Sequence, residues 1–84
     1  MTLELLTRAG CQACAAARLD LARICADLGV EFTEVDVDRA AADGSPDIRA
    51  EYGDRLPVVL LDGDEHSYWE VDEPRLRADL AARA

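Results

Sequence analysis

Lysine is missing from these 84 residues. All nine basic side chains are arginine, and they face 18 acids, for a formal net charge of -9. Such an excess repels phosphate backbones and anionic lipid surfaces, so neither nucleic acid nor a membrane is an expected partner. Long apolar runs are missing too, and nothing approaches the roughly 18–20 residues that a bilayer-spanning helix requires. The first ten residues place Glu4 and Arg8 in a short apolar stretch. A basic start followed by a long apolar segment is absent, so no secretory signal is expected and the expected location is the cytoplasm. Aromatic side chains number four, proline three, histidine one and cysteine three. What remains is 50% hydrophobic, too apolar for a disordered segment. The length fits one domain, residues 1–84, with a compact core. Between Leu56 and Pro74 lie six acids (Asp62, Asp64, Glu65, Glu70, Asp72 and Glu73) and no Lys or Arg, which reads as a solvated acidic face.

Apolar periodicity gives the order of elements. Met1 to Thr7 reads as a strand with Leu3 and Leu5 on one face and Leu6 on the other, as expected of an interior strand. Gln12 to Leu28 lacks Gly and Pro and places Ala17, Leu21, Ile24 and Leu28 on one helical stripe, with Gly29 as its stop. Val30 to Val37 alternates as a second strand, so strand, helix and strand form a right-handed βαβ unit. Asp38 to Gly44 carries no clear pattern. Ser45-Pro46 predicts a short helix, with the serine capping, that ends at Gly53. Leu56 to Leu61 predicts an apolar strand, Asp62-Gly63-Asp64 a hairpin turn, and His66 to Val71 its antiparallel partner. Glu73-Pro74 opens a last helix with Leu76 and Leu80 four apart and Ala81 and Ala84 nearby.

Two of the three cysteines, in Cys11-Gln12-Ala13-Cys14, fall where the first strand gives way to the long helix. A Cys-x-x-Cys beside a βαβ pattern is the mark of a thioredoxin-like redox site. Free amides and the positive dipole end at a helix start favour a sulfur anion, and can lower a thiol pKa from ~8.5 to roughly 3.5–7.5. Cys14 falls in the first turn, facing Cys11 and leading into the apolar stripe, so it is expected to be the more buried. A zinc site needs four ligands. Cys25 lies eleven residues beyond Cys14, about 16 Å along the helix, and cannot join the same site. Cys25 reads as a core residue, His66 as a half-exposed strand residue, and Tyr68 and Trp69 as packing residues. For the Leu56–Pro57 bond the sequence alone supplies only the general cis frequency of about 5–6%.

Gly10-Cys11-Gln12-Ala13-Cys14, Tyr52-Gly53-Asp54-Arg55-Leu56-Pro57-Val58 and Asp62-Gly63 together resemble the glutaredoxin-like proteins of the thioredoxin superfamily. The likeness extends over essentially the whole chain and is strongest to the small bacterial members. It implies an α/β, thioredoxin-like fold of glutaredoxin type, βαβ-α-ββα, with a four-stranded mixed sheet flanked by helices. It also implies that Cys11 is the nucleophile and Cys14 the resolving cysteine, the two forming a redox-active disulfide. Pro57 would be the family's cis-proline, with the Leu56 backbone pairing with an extended substrate segment. Arg8 and Arg55, flanking the site loops, are the candidate counter-charges for a substrate. The glycine pair of glutaredoxins is replaced here by Trp69-Glu70-Val71-Asp72-Glu73.

The expected activity is thiol–disulfide exchange on a disulfide-containing protein or a small thiol substrate. No tightly bound cofactor or metal is expected, and an external reductant, with a low-molecular-weight thiol as one candidate, would recycle the pair. Two other readings compete. One is a redox-inactive binding module whose acidic face docks a partner. The other is an iron–sulfur cluster shared between two subunits through Cys11.

Overall fold

A computed structural model describes residues 1–83. The elements run β1 (Leu3–Thr7), α1 (Gln12–Leu28), β2 (Thr33–Asp36), α2 (Val37–Ala42), α3 (Pro46–Tyr52), β3 (Val58–Leu61), β4 (Asp64–Tyr68) and α4 (Glu73–Arg83). The sheet order is β2-β1-β3-β4. β1 pairs in parallel with β2 and antiparallel with β3, and β3 pairs antiparallel with β4. The fold is therefore α/β, a four-stranded mixed sheet flanked by helices, as the resemblance implies.

β1 and β3 are central strands, and their alternate side chains feed two cores. Leu3, Leu5, Val59 and Leu61 pack with Ala17, Leu21, Ile24 and Cys25 of α1 and with Leu76 and Leu80 of α4. Leu6, Val58 and Leu60 pack on the other side with Val37 of α2, Ile48 and Tyr52 of α3, and Leu56. This is why β3 reads as an uninterrupted apolar run: both of its faces are covered.

The structure corrects several expected boundaries. Val30 to Phe32 is not strand, because the Val30 N–H closes the end of α1 on the Cys25 carbonyl at 3.0 Å. Gly29 adopts the left-handed conformation (φ 67°) that such a cap needs. The strand also stops at Asp36: Val37, expected to be its last residue, opens α2, which runs on into the unpatterned stretch and is capped by the Asp36 carboxylate, which accepts from the N–H groups of Asp38 and Arg39. Ser45 precedes α3 as expected but makes no side-chain cap bond. β4 starts at Asp64 and stops at Tyr68, shorter at its far end than the alternation suggests. Leu28, expected on the buried stripe, is 37% exposed. Leu28 is the final residue of α1, next to the left-handed Gly29 cap where the chain leaves the helix, and it is not part of the core that takes Leu21, Ile24 and Cys25. Ala84, grouped with the last helix by sequence, lies outside the described residues. Among the described residues, no helix is long and apolar enough to cross a membrane.

Much of the acidic run is internally matched. Asp62 pairs with Arg83, Glu65 with Arg55, Asp72 with Arg75, and Glu73 with both Arg23 and Arg77. Hydrogen bonds first from Arg23 and then from Arg77 lower the Glu73 pKa from 4.5 to about 2. A carboxylate depressed in the folded state stabilises the fold above its unfolded pKa. That contribution is lost as pH falls through the folded value, here between about 4.5 and about 2. Urea midpoints should therefore be lower for Glu73→Gln than for the parent at pH 6 and should converge near pH 2. A constant difference at both pH values would show that the α1–α4 ion pairs contribute nothing that titrates.

Candidate functional site

β1 ends at Thr7, and the chain turns through Arg8-Ala9-Gly10 into α1. Gly10 has φ 75°, a left-handed conformation that side chains resist. Cys11 follows in extended conformation (φ -96°, ψ 109°) as the N-cap of α1. Its Sγ accepts a hydrogen bond from the Cys14 N–H at 3.1 Å, so a sulfur here does the work usually done by a capping oxygen. No acidic residue stands in the first turn of α1 to oppose negative charge at that sulfur. Cys11 and Cys14 are joined as a disulfide with their Cα atoms 5.2 Å apart. Cys14 has no exposed surface, whereas Cys11 is partly exposed. Cys25 is a free, buried cysteine, and burial pushes its thiol pKa up.

The sheet register assembles the rest of the site. Leu6 lies opposite Val58, and Val58 opposite Tyr68. The end of β1, the start of β3 and the end of β4 therefore share one margin of the sheet, from which the Cys11 loop, Pro57 and Trp69 emerge. The Leu56–Pro57 peptide bond is cis. Pro57 is fully buried and Leu56 partly buried, and the Pro57 carbonyl accepts the Trp69 N–H at 2.8 Å.

Each candidate counter-charge is already engaged. Arg8 donates to both oxygens of Asp38, at 3.0 and 3.2 Å, and to the Gly53 carbonyl at 3.3 Å. The Arg8 guanidinium in turn holds the Asp38 carboxyl below its usual range. Arg8 lines a shallow depression of about 450 Å³ beside Cys11. Arg55 does not line it. Its guanidinium grips Glu65 of β4 at 2.9 and 2.8 Å and sits 5.1 Å from the Tyr52 ring centroid, clamping α3 to the sheet. Sequence reasoning missed Arg18, which lines the depression opposite Arg8. Its spacing of seven from Cys11, two helical turns, was the available signal. Arg18 is held by both oxygens of Glu34, which also accepts from Thr7, and the Glu34 pKa is lowered chiefly by Arg18.

Three residues of the β4 end depart from their expected settings. His66 is buried, not half-exposed. Its Nε2 lies 2.7 Å from Asp79 Oδ2 of α4, while its carbonyl accepts from Arg75. The register shift between Val59 and Leu60 interrupts simple alternation in this pair of strands, which is why period-two reasoning misplaced it. Tyr68 and Trp69, expected to pack, are 49% and 63% exposed. The strand ends there, and Trp69 takes a left-handed conformation (φ 69°) that turns the chain away from the sheet.

Residues 2–81 match the family model described as "Glutaredoxin-like domain (DUF836)". Uncharacterized proteins of Mycobacterium tuberculosis and Mycobacterium bovis are 62% identical over 79 residues, covering 94% of this chain and 81% of theirs. A structural genomics target from X. campestris, solved by X-ray, superposes with a TM-score of 0.68. It is 35% identical, over 96% of this chain and 97% of that one. A crystal structure of a mutant thioredoxin-like protein superposes with a TM-score of 0.64, covering 93% of this chain and 95% of that one. At 20% identity, that second match speaks to the fold alone.

Proposed function

We propose that this chain, which belongs to the glutaredoxin-like domain family, is a thiol–disulfide oxidoreductase working through Cys11 and Cys14. One observation carries the reading: Cys11 Sγ caps α1, accepting the Cys14 N–H, while Cys14 itself is sealed from solvent. After reduction the same amide and the helix dipole stabilise a thiolate at Cys11. That thiolate attacks one sulfur of a substrate disulfide, forming a Cys11–substrate bond and releasing the other substrate sulfur as a thiolate, which takes a proton from solvent. Cys14, deprotonated, then attacks Cys11 Sγ, forming the intramolecular disulfide and releasing the second substrate thiol. Two electrons pass to the substrate, and an external dithiol or two monothiols must return them. Partial exposure of Cys11 suits the first step, which needs access. Burial of Cys14 suits the second, which needs only its neighbour.

Two measurements test this. Iodoacetamide alkylation of the reduced protein against pH should give a midpoint below 8 for Cys11. A midpoint at 8.5 or above would remove the activated nucleophile. Cys14→Ser should accumulate a mixed disulfide with substrate, detected as an adduct by mass spectrometry and released by dithiothreitol. Turnover by Cys14→Ser at the parent rate with a protein disulfide would mean that the second cysteine resolves nothing.

A further inference from the structure

The loop that follows β4 presents aromatic rings and unpaired negative charge at the margin of the sheet from which Cys11 and Pro57 emerge. Tyr68 and Trp69 are both exposed and stack edge to face, with ring centroids 5.0 Å apart and planes at 81°. Trp69 holds a left-handed backbone conformation that costs a bulky residue and suits glycine, so an aromatic side chain there is not the choice of local stability. Its N–H is tied to the Pro57 carbonyl, which fixes the ring's root beside the cis-proline element. Next to it, Glu70 is exposed and in no ion pair among the described residues.

A cleft of about 830 Å³ lined by Tyr68 and Glu70, the two neighbours of Trp69, runs along β4 to the start of α4. Glu65, Glu70, Asp72 and Glu73 line it; Glu65, Asp72 and Glu73 are answered by arginines, and Glu70 is the lining acid in no ion pair among the described residues, so the uncompensated negative charge lies beside the aromatic pair. His66 and Ser67 line it as well, and each leaves a buried polar atom unpartnered, Nδ1 and Oγ respectively. The His66 side chain is only 5% exposed. Unmet hydrogen-bonding capacity inside a cleft is a place for a ligand's polar groups. Aromatic faces beside carboxylates form a cation-binding environment, by cation–π attraction and direct pairing. Arg8 and Arg18, beside the dithiol, do not offset the Glu70 charge, since each is held by a carboxylate outside the cleft, Asp38 and Glu34 respectively.

We infer that Tyr68, Trp69 and Glu70 dock a lysine or arginine side chain of an extended polypeptide whose disulfide lies at Cys11. The preferred substrates are therefore protein disulfides beside basic residues, and not the anionic disulfide of glutathione. This rests on the oxidoreductase reading for its chemistry, while the docking surface has a readout of its own.

The test uses two peptides that differ only in charge, each with one cysteine flanked by Leu and either Arg or Glu, activated as a mixed disulfide with thionitrobenzoate. Release of the chromophore by the reduced protein reports attack by Cys11. The Arg peptide should react at least tenfold faster than the Glu peptide, and faster than the glutathione mixed disulfide. Trp69→Ala and Glu70→Gln should each erase threefold or more of that preference while leaving the rate with a small neutral disulfide unchanged. Glu31→Gln, an exposed acid near the start of β2 at the opposite margin of the sheet, should not alter the preference. Equal rates across the charge series, or an equal effect of Glu31→Gln and Glu70→Gln, would overturn the inference, the latter by showing long-range charge alone. Because Trp69 is the only tryptophan, its emission reports docking without chemistry. An Arg peptide with serine in place of cysteine should shift that emission and its Glu counterpart should not. A shift with no turnover of any disulfide would uphold the docking surface and sink the redox reading, whereas turnover with no shift would do the reverse.

Discussion

Cys11→Ser is expected to abolish reduction of a disulfide substrate, a fall on the order of a thousandfold or more in turnover, because a serine hydroxyl is not ionised where a thiol is. The fold should survive, since serine is among the best residues at an N-cap and its Oγ can accept the Cys14 N–H that Cys11 Sγ accepts now. Unchanged far-ultraviolet circular dichroism together with lost insulin reduction is the predicted pairing. Cys25→Ser is the contrast: Cys25 lies in the core with Leu21 and Ile24, away from the cap, and its replacement should cost stability without silencing the dithiol. Retention of even a tenth of the parent turnover by Cys11→Ser would place the chemistry elsewhere.

Leu21→Ala is the largest expected effect on stability. Leu21 is fully buried on α1, in the cluster that joins the helix to Leu3, Leu5, Val59 and Leu61 of the sheet and to Leu76 and Leu80 of α4. Removing it leaves a void among groups fixed by three separate elements, with a cost of about 2–5 kcal/mol. For a domain of this size each kcal/mol lowers the melting temperature by about 4–8 °C, so a drop of roughly 8–40 °C is expected by calorimetry. A drop of under 5 °C would mean that the α1 face repacks freely. The same substitution at the exposed Leu19 should barely register.

The parts of the fold legible in the sequence were those written in local periodicity. The α1 stripe at Ala17, Leu21 and Ile24, the Asp62-Gly63 hairpin with its paired left-handed residues, and the doubly covered β3 all follow from short-range rules. Cys11-x-x-Cys14 was legible for the same reason: a strand–helix junction is a local event with a known electrostatic character. What escaped depends on partners distant in the chain. α2 was hidden because its capping residue, Asp36, looks like the last polar position of a strand. The engagement of Arg8 with Asp38 and of Arg55 with Glu65 could not be read from neighbours in sequence. Nor could the outward turn at Trp69, which depends on a hydrogen bond to Pro57 twelve residues earlier. The acidic run likewise looked free in sequence because the arginines that answer it lie on α1, on α4 and just after α3.

The confinement of Cys25 fixes how many oxidising equivalents one molecule can store. Packed among Leu21, Ile24 and the sheet, that sulfur is shielded from a second disulfide, and burial raises its pKa, which disfavours the ionised form that exchange requires. On the proposed chemistry, a chain with an odd number of cysteines would then exchange electrons only in pairs. Oxidative coupling of two copies would have to begin at Cys11, in direct competition with closure by Cys14, whose Cα lies 5.2 Å away.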